Sequence, residues 1–237
     1  QLANIASYLK AKGIAVEYQK QKDVLTEPHM CALIDVLRLL DTLSREQTST
    51  DSALVLSVLQ APYWNLEPSI IWTLSLDAKK DPYRGSWIEA MRHSSVKKLQ
   101  DIAAWFLAIA ALVPKTPLQE LLDIVIGPAE VDKQDLPLPA FAPFHSPFRS
   151  YYISQEVYEV QPREYLERIA SIRVLFEAIS TYAHKKEELY LRDALTMIDA
   201  YGAYGLSLYK SGTAAGASNA VQLLSAHKAK GLEFDTV

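Results

Sequence analysis

The sequence predicts a mainly α-helical protein: a helical bundle inserted into a truncated α/β core that keeps only a few short strands. Three observations predict it. Apolar residues recur three and four apart over long stretches, and stripes of that kind bury only against one another. The two segments with strand character, Ala15 to Gln19 and Ala220 to Leu224, sit near opposite ends of the chain. The pattern between them is helical. That order is expected when a helical domain is inserted into a loop of an α/β domain.

The elements follow in turn. Gly13 can close a first helix, and Ala15 to Gln19 then reads as a strand. Pro28 suits the first turn of the next helix, where a missing amide costs nothing. Leu33, Val36, Leu37, Leu40 and Leu43 form its inward stripe. Ser44 to Ser52 is polar and short enough for an interhelical loop. Ser94 to Val113 carries Leu99, Ile102, Phe106, Ile109 and Val113 on one face. Thr116, Pro117 and Gln119 resemble a capping box opening another helix. Leu136 to Tyr152 holds Pro137, Pro139, Phe141, Pro143, Phe144, Pro147, Phe148 and Tyr151, and reads as an extended arm. Pro162 opens a long helix with Tyr165, Ile169, Ile172, Phe176 and Ile179 in line. A further helix runs from about Glu187, with Leu191, Leu195, Ile198 and Tyr201 inward. Ser211 to Asn219 is small, polar and glycine-bearing, hence a flexible connector to the last strand.

Composition sets the class. With 237 residues, 49% hydrophobic and 22% charged, the chain can bury a core without disulfides or metal. Cys31 is its single cysteine, which fits a reducing, cytoplasmic compartment. No apolar run reaches the roughly 18 residues that span a bilayer, so no membrane partner is expected. The formal net charge is −4. A free-standing nucleic-acid module draws affinity from Lys and Arg on phosphates, so tight autonomous DNA binding is not expected, and a few local phosphate contacts stay compatible with the charge. The chain starts at Gln1 without an initiator Met and stops at Val237 in a strand-like stretch, as an excised piece would.

The segment richest in chemistry is the last: Val221 to Leu224 as a strand, then Ser225, Ala226, His227, Lys228, Ala229, Lys230, Gly231, Leu232, Glu233 and Phe234. A strand end places Ser225 and His227 at the rim of a sheet, where α/β proteins bind ligands. Gly231 permits a close turn that offers Glu233 to a neighbouring cleft.

This run resembles motif V of superfamily 1 DNA helicases of the UvrD, Rep, PcrA, RecB and AddA type, patterned T/S-x-H-x-x-K-G-L-E-F. The resemblance implies that Ser225, His227 and Lys230 meet single-stranded DNA, and that Gly231 and Glu233 meet ATP between two RecA-like cores. The stretch Gln1 to Leu43 is similar to the part that follows motif IV. On this resemblance, residues 1–27 and 217–237 are pieces of the second RecA-like core, and 28–216 is a helical 2B-type insert. UvrD and Rep carry a glycine-isoleucine-glycine hairpin that grips duplex. Ala61-Pro62-Tyr63-Trp64-Asn65-Leu66 takes the equivalent place here with neither glycine. That departure, with Lys228 beside His227, looks closer to the RecB and AddA branch.

The expected parent is an ATP-dependent DNA helicase of repair or recombination, at the nucleoid in the cytoplasm. It uses ATP and Mg2+, contacts single-stranded and duplex DNA, and meets other repair or recombination proteins. None of the eight glycines precedes a lysine and no Asp-Glu pair occurs, so these residues hold neither a phosphate loop nor a Walker B site. With motif VI also missing, the fragment itself completes no catalytic site, holds no cofactor and hydrolyses no ATP; its role is a regulatory subdomain contacting DNA or a partner. The alternative is a protein-interaction helical domain of a RecB/AddA-like helicase-nuclease.

Lesser candidates remain. His29, His93, His145, His184 and His227 lack metal-ligand spacing, so no metal site is expected. Lys79, Lys80 and Arg84, or Lys97 and Lys98, could meet phosphate, though such clusters usually form a solvated face. Phe144, His145, Phe148, Arg149 and Tyr151 in the arm could stack bases or touch a partner. Trp64, Trp72, Trp87 and Trp105 are expected as core or interface anchors.

Overall fold

The computed structural model describes residues 2–14, 16–17, 23–45, 52–80, 86–129, 138–139, 141–183, 186, 188–210 and 221–223. It separates into two compact units. One is Gln1–Asp23 with Tyr209–Val237, and the other is Val24–Leu208.

In the first unit, α1 (Leu2–Ala11) is followed by a turn at Gly13, whose φ of 75° needs no Cβ to be accommodated. Strand β1 (Val16–Glu17) pairs in parallel with β2 (Val221–Gln222), in the register Val16↔Val221 and Glu17↔Gln222. The two end segments read as strands do lie side by side. A parallel pair requires a long crossover between its members, and the rest of the chain supplies it. An antiparallel bridge joins Asp23 to Tyr209.

The second unit is helical. Helix α2 (Pro28–Ser44) is its axis and packs against α3 (Ser52–Leu59), α6 (Lys97–Leu112), α7 (Leu118–Ile126), α10 (Pro162–Tyr182) and α11 (Leu191–Ala203). Helix α4 (Pro68–Asp77) meets α5 (Trp87–Arg92), which meets α6; α8 (Phe148–Tyr152) meets α7, and α9 (Gln155–Val160) meets α10. Pro28 stands at the start of α2 and Pro162 at the start of α10, as their sequences require. Of the α2 stripe, Leu33, Val36, Leu37 and Leu40 are buried and Leu43 is half-buried. All five residues of the α6 stripe are buried, joined by Ala103, Trp105 and Ala110. The unit closes on itself: Val24 N–H donates to Leu208 O at 2.7 Å.

Several expectations are corrected. Helix α7 forms no capping box at Thr116 and Gln119: its N-cap is Pro117, with no side-chain bond. The Leu118 amide instead donates to Leu189 O at 2.6 Å, so a distant loop does the capping. Helix α11 begins at Leu191 rather than near Glu187, because the Asp193 carboxylate accepts from the Tyr190 amide at 3.0 Å and fixes the start there. Helix α6 begins at Lys97 rather than Ser94, since the Ser94 hydroxyl accepts from Val96 N–H and holds a turn before it. The arm ends in helix α8, because Phe148 and Tyr152 lie four apart and both turn inward. Trp72 is 69% exposed and is no core anchor.

Gly127 closes α7 with φ 91°, and a Cβ there would collide with the backbone carbonyl of Ser146. The arm is thereby pressed against the end of α7, and Arg149 Nε ties it down through Gly127 O at 2.7 Å. Gly127→Ala combines a disfavoured positive φ with overpacking against backbone. It is expected to cost roughly 2–4 kcal/mol. Urea denaturation of both proteins checks this, and an unchanged midpoint would mean that the approach to Ser146 is not needed.

Candidate nucleic-acid interface

The parallel pairing in the first unit places the end of β2, at Gln222, beside Glu17 of β1. The residues that follow in sequence are those of the motif. Ser225, His227, Lys230, Gly231 and Glu233 lie outside the described residues, as do Arg84 and His184.

In the second unit, the segment Ala61 to Asn65 forms a compact turn. Pro62–Trp64 forms one turn of 3-10 helix, ended by Asn65 in the left-handed region at φ 48°, ψ 51°. Lys98 Nζ donates to Asn65 O at 2.8 Å. Tyr63 and Trp64 are buried. The Trp64 ring lies 5.7 Å from those of Trp105 and Phe106 and 6.3 Å from that of Phe144; the Tyr63 ring lies 5.6 Å from Phe148 and 5.9 Å from Tyr152. Burial pushes the Tyr63 hydroxyl far above the usual phenol range, with the neighbouring Tyr152 and Asp35 adding to the shift. This turn is the centre of an aromatic core. Its large side chains, Tyr63 and Trp64, point inward and are taken up by the core.

The arm residues divide. Phe148 is 1% exposed, enclosed by Tyr63 and Tyr152, and has no face left for a base. Phe144 is half-buried, its ring stacked on Trp105 at 6.4 Å and 12°. Tyr151 is exposed, with its ring against that of Tyr152 at 4.9 Å. Arg149 is half-buried beside Gly127, and His145 is half-buried. Tyr151 and Arg149 can reach a ligand; Phe148 cannot.

The basic candidates face outward. Lys79, Lys80, Lys97 and Lys98 are exposed. Three of them are engaged already: Lys80 with Asp77, Lys97 with Asp101, Lys98 with Asn65 O. A shallow hollow of about 450 Å3 lies between α4, α5 and the start of α6, lined by Ser69, Thr73, Asp77, Lys80, His93 and Ser95 among others. His93 accompanies Glu89, whereas His29 is buried next to Glu27, which also accepts from Ser171 Oγ at 2.5 Å. That part-buried link between the N-cap of α2 and the middle of α10 escaped the sequence reading, because its partners stand far apart in the chain. Among the described residues no group of three or more His, Cys, Asp or Glu could hold a metal, and no helix is long and apolar enough to cross a membrane.

A family model described as the UvrD-like helicase C-terminal domain matches residues 5–237. Comparison with individual curated proteins finds no match.

Proposed function

Since the chain belongs to the UvrD-like helicase C-terminal domain family, we propose that its first unit is part of the second RecA-like core of an ATP-dependent DNA helicase, and that its second unit is the 2B-type helical insert. One observation carries this reading. Strands at residues 16 and 221 pair in parallel, and the helical unit lies between them in sequence. An insertion into one core requires that arrangement, and two domains in tandem do not. Under this reading Ser225, His227 and Lys230 follow β2 onto the face that tracks single-stranded DNA, and Gly231 and Glu233 turn towards bound ATP. The helicase acts in DNA repair or recombination, and the insert positions it on DNA rather than doing chemistry.

ATP and Mg2+ belong to the complete enzyme. The 237 residues supply one wall of the nucleotide site at most, since no phosphate loop or Walker B carboxylate occurs in them. The purified chain is therefore expected to show no DNA-stimulated ATPase. A malachite-green phosphate assay with and without oligonucleotide checks this. Turnover that survives repurification and follows the protein peak would overturn the reading.

A further inference from the structure

A groove crosses the helical unit between α7, the end of α8 and α10. Leu122, Ile126, Ile153, Ile169, Ile172 and Phe176 line it, and its volume is about 340 Å3. It exists because α10 uses a different line of residues for the core. Ser171, Leu175 and Ile179 are the buried positions of α10, which leaves Ile169 37% exposed and Ile172 and Phe176 half-buried. One turn earlier, Leu166 continues the apolar line and is more exposed still.

Charge marks the rim. Arg149 is half-buried at one wall, its Nε held by Gly127 O at 2.7 Å, and among the described residues no carboxylate pairs with it. Arg173 on the α10 wall is already paired with Glu177 at 2.7 Å. Asp123 stands exposed on the α7 wall. A half-buried guanidinium already oriented by a backbone carbonyl gains more from an incoming carboxylate than a freely solvated one does. An isoleucine-lined trough has little to offer a phosphate backbone, which would lose its water against it.

We propose that this groove receives an amphipathic helix of a partner protein, whose apolar stripe lies along α10 and whose carboxylate meets Arg149. A basic residue on the same helix faces Asp123, so the two rim charges set its direction. Helices that dock in this way present anchors at i, i+3 or i+4, and i+7, and the line they would lie along, Ile169, Ile172 and Phe176, has the spacing i, i+3, i+7. The groove lies within the helical unit, and its occupant does not depend on the assignment of the RecA-like core.

The test is selection from a displayed library of helical peptides, each about 16 residues long so that its helix is not marginal, against the whole 237-residue chain. Enriched peptides are expected to share apolar anchors at helical spacing and an Asp or Glu at a fixed offset. Ile169→Glu, at an already exposed position, should weaken them about tenfold or more. Arg149→Glu should transfer preference from each peptide to its Glu-to-Lys counterpart, and Arg149→Gln gives the same loss of acid preference if the reversed charge does not fold. The proposal is overturned by failure to enrich any peptide, or by peptides that bind wild type and variants alike. Displacement by a blunt duplex oligonucleotide would assign the groove to DNA instead. Self-association in sedimentation that Ile169→Glu abolishes would assign it to a second copy of the chain.

Discussion

Trp64→Ala should be among the most destabilising single substitutions in this protein, costing about 3–5 kcal/mol. Trp64 is 2% exposed and touches Trp105, Phe106 and Phe144. Removing the indole deletes its burial and opens a cavity among rigid rings that cannot collapse into it. The control is Trp72→Ala on α4, where the ring is exposed and the change should stay within about 0.5 kcal/mol. Urea denaturation of both variants reads the contrast in the midpoints. Equal midpoints would mean that the Pro62–Trp64 turn is no core element, and would reopen a role for it at the surface. Duplex affinity is the complementary measurement, and Asn65→Gly, at a residue already in the left-handed region, should leave it unchanged.

His227→Ala and Glu233→Ala in the complete helicase are expected to separate two functions. Under the proposed reading, His227 would donate to a DNA phosphate and Glu233 would face the nucleotide. Losing a charge-assisted hydrogen bond costs about 1–3 kcal/mol, or roughly five- to 150-fold in an apparent constant. His227→Ala should raise the DNA concentration needed for half-maximal ATPase while leaving the ATP dependence near wild type. Glu233→Ala should do the reverse and weaken coupling to unwinding. Paired titrations of ATP and single-stranded oligonucleotide check each variant. Equal shifts of both curves in both variants would sink the proposed division.

The helical mass was legible from periodicity. The stripes on α2 and α6 keep one face over about three and four turns, and one buried face is what a bundle needs. The strand pair was legible too, because β-type segments stood only near the ends. Other features were hidden for physical reasons. Helix α8 is too short for a repeat to outweigh the signal of Pro143 and Pro147, yet two aromatics four apart were enough to turn it inward. The stripe on α10 was read as core, but periodicity reports only that a face is apolar, not what covers it. In this unit Ile179 is buried and Tyr165, Ile172 and Phe176 pack against the core, while Ile169 is exposed and with Ile172 and Phe176 lines a groove. The cap of α7 comes from Leu189, across a distance in sequence that no local pattern encodes. The motif was recognised by residue order alone, and its positions fall outside the described residues.

The hydrogen bond from Val24 to Leu208 has a consequence for folding order. The β1–β2 pair joins residues near opposite ends of the chain, and such non-local pairing is slow because loop closure must be met before any contact rewards it. Closure of the helical unit at Val24 and Leu208 brings its two ends within one hydrogen bond of each other. The flanking strands then meet at the high effective concentration of a short tether rather than across a long free coil. In kinetic terms the bundle is a clasp. Mutations that slow its assembly should delay sheet formation as well, while mutations in the sheet should leave the folding rate of the bundle untouched.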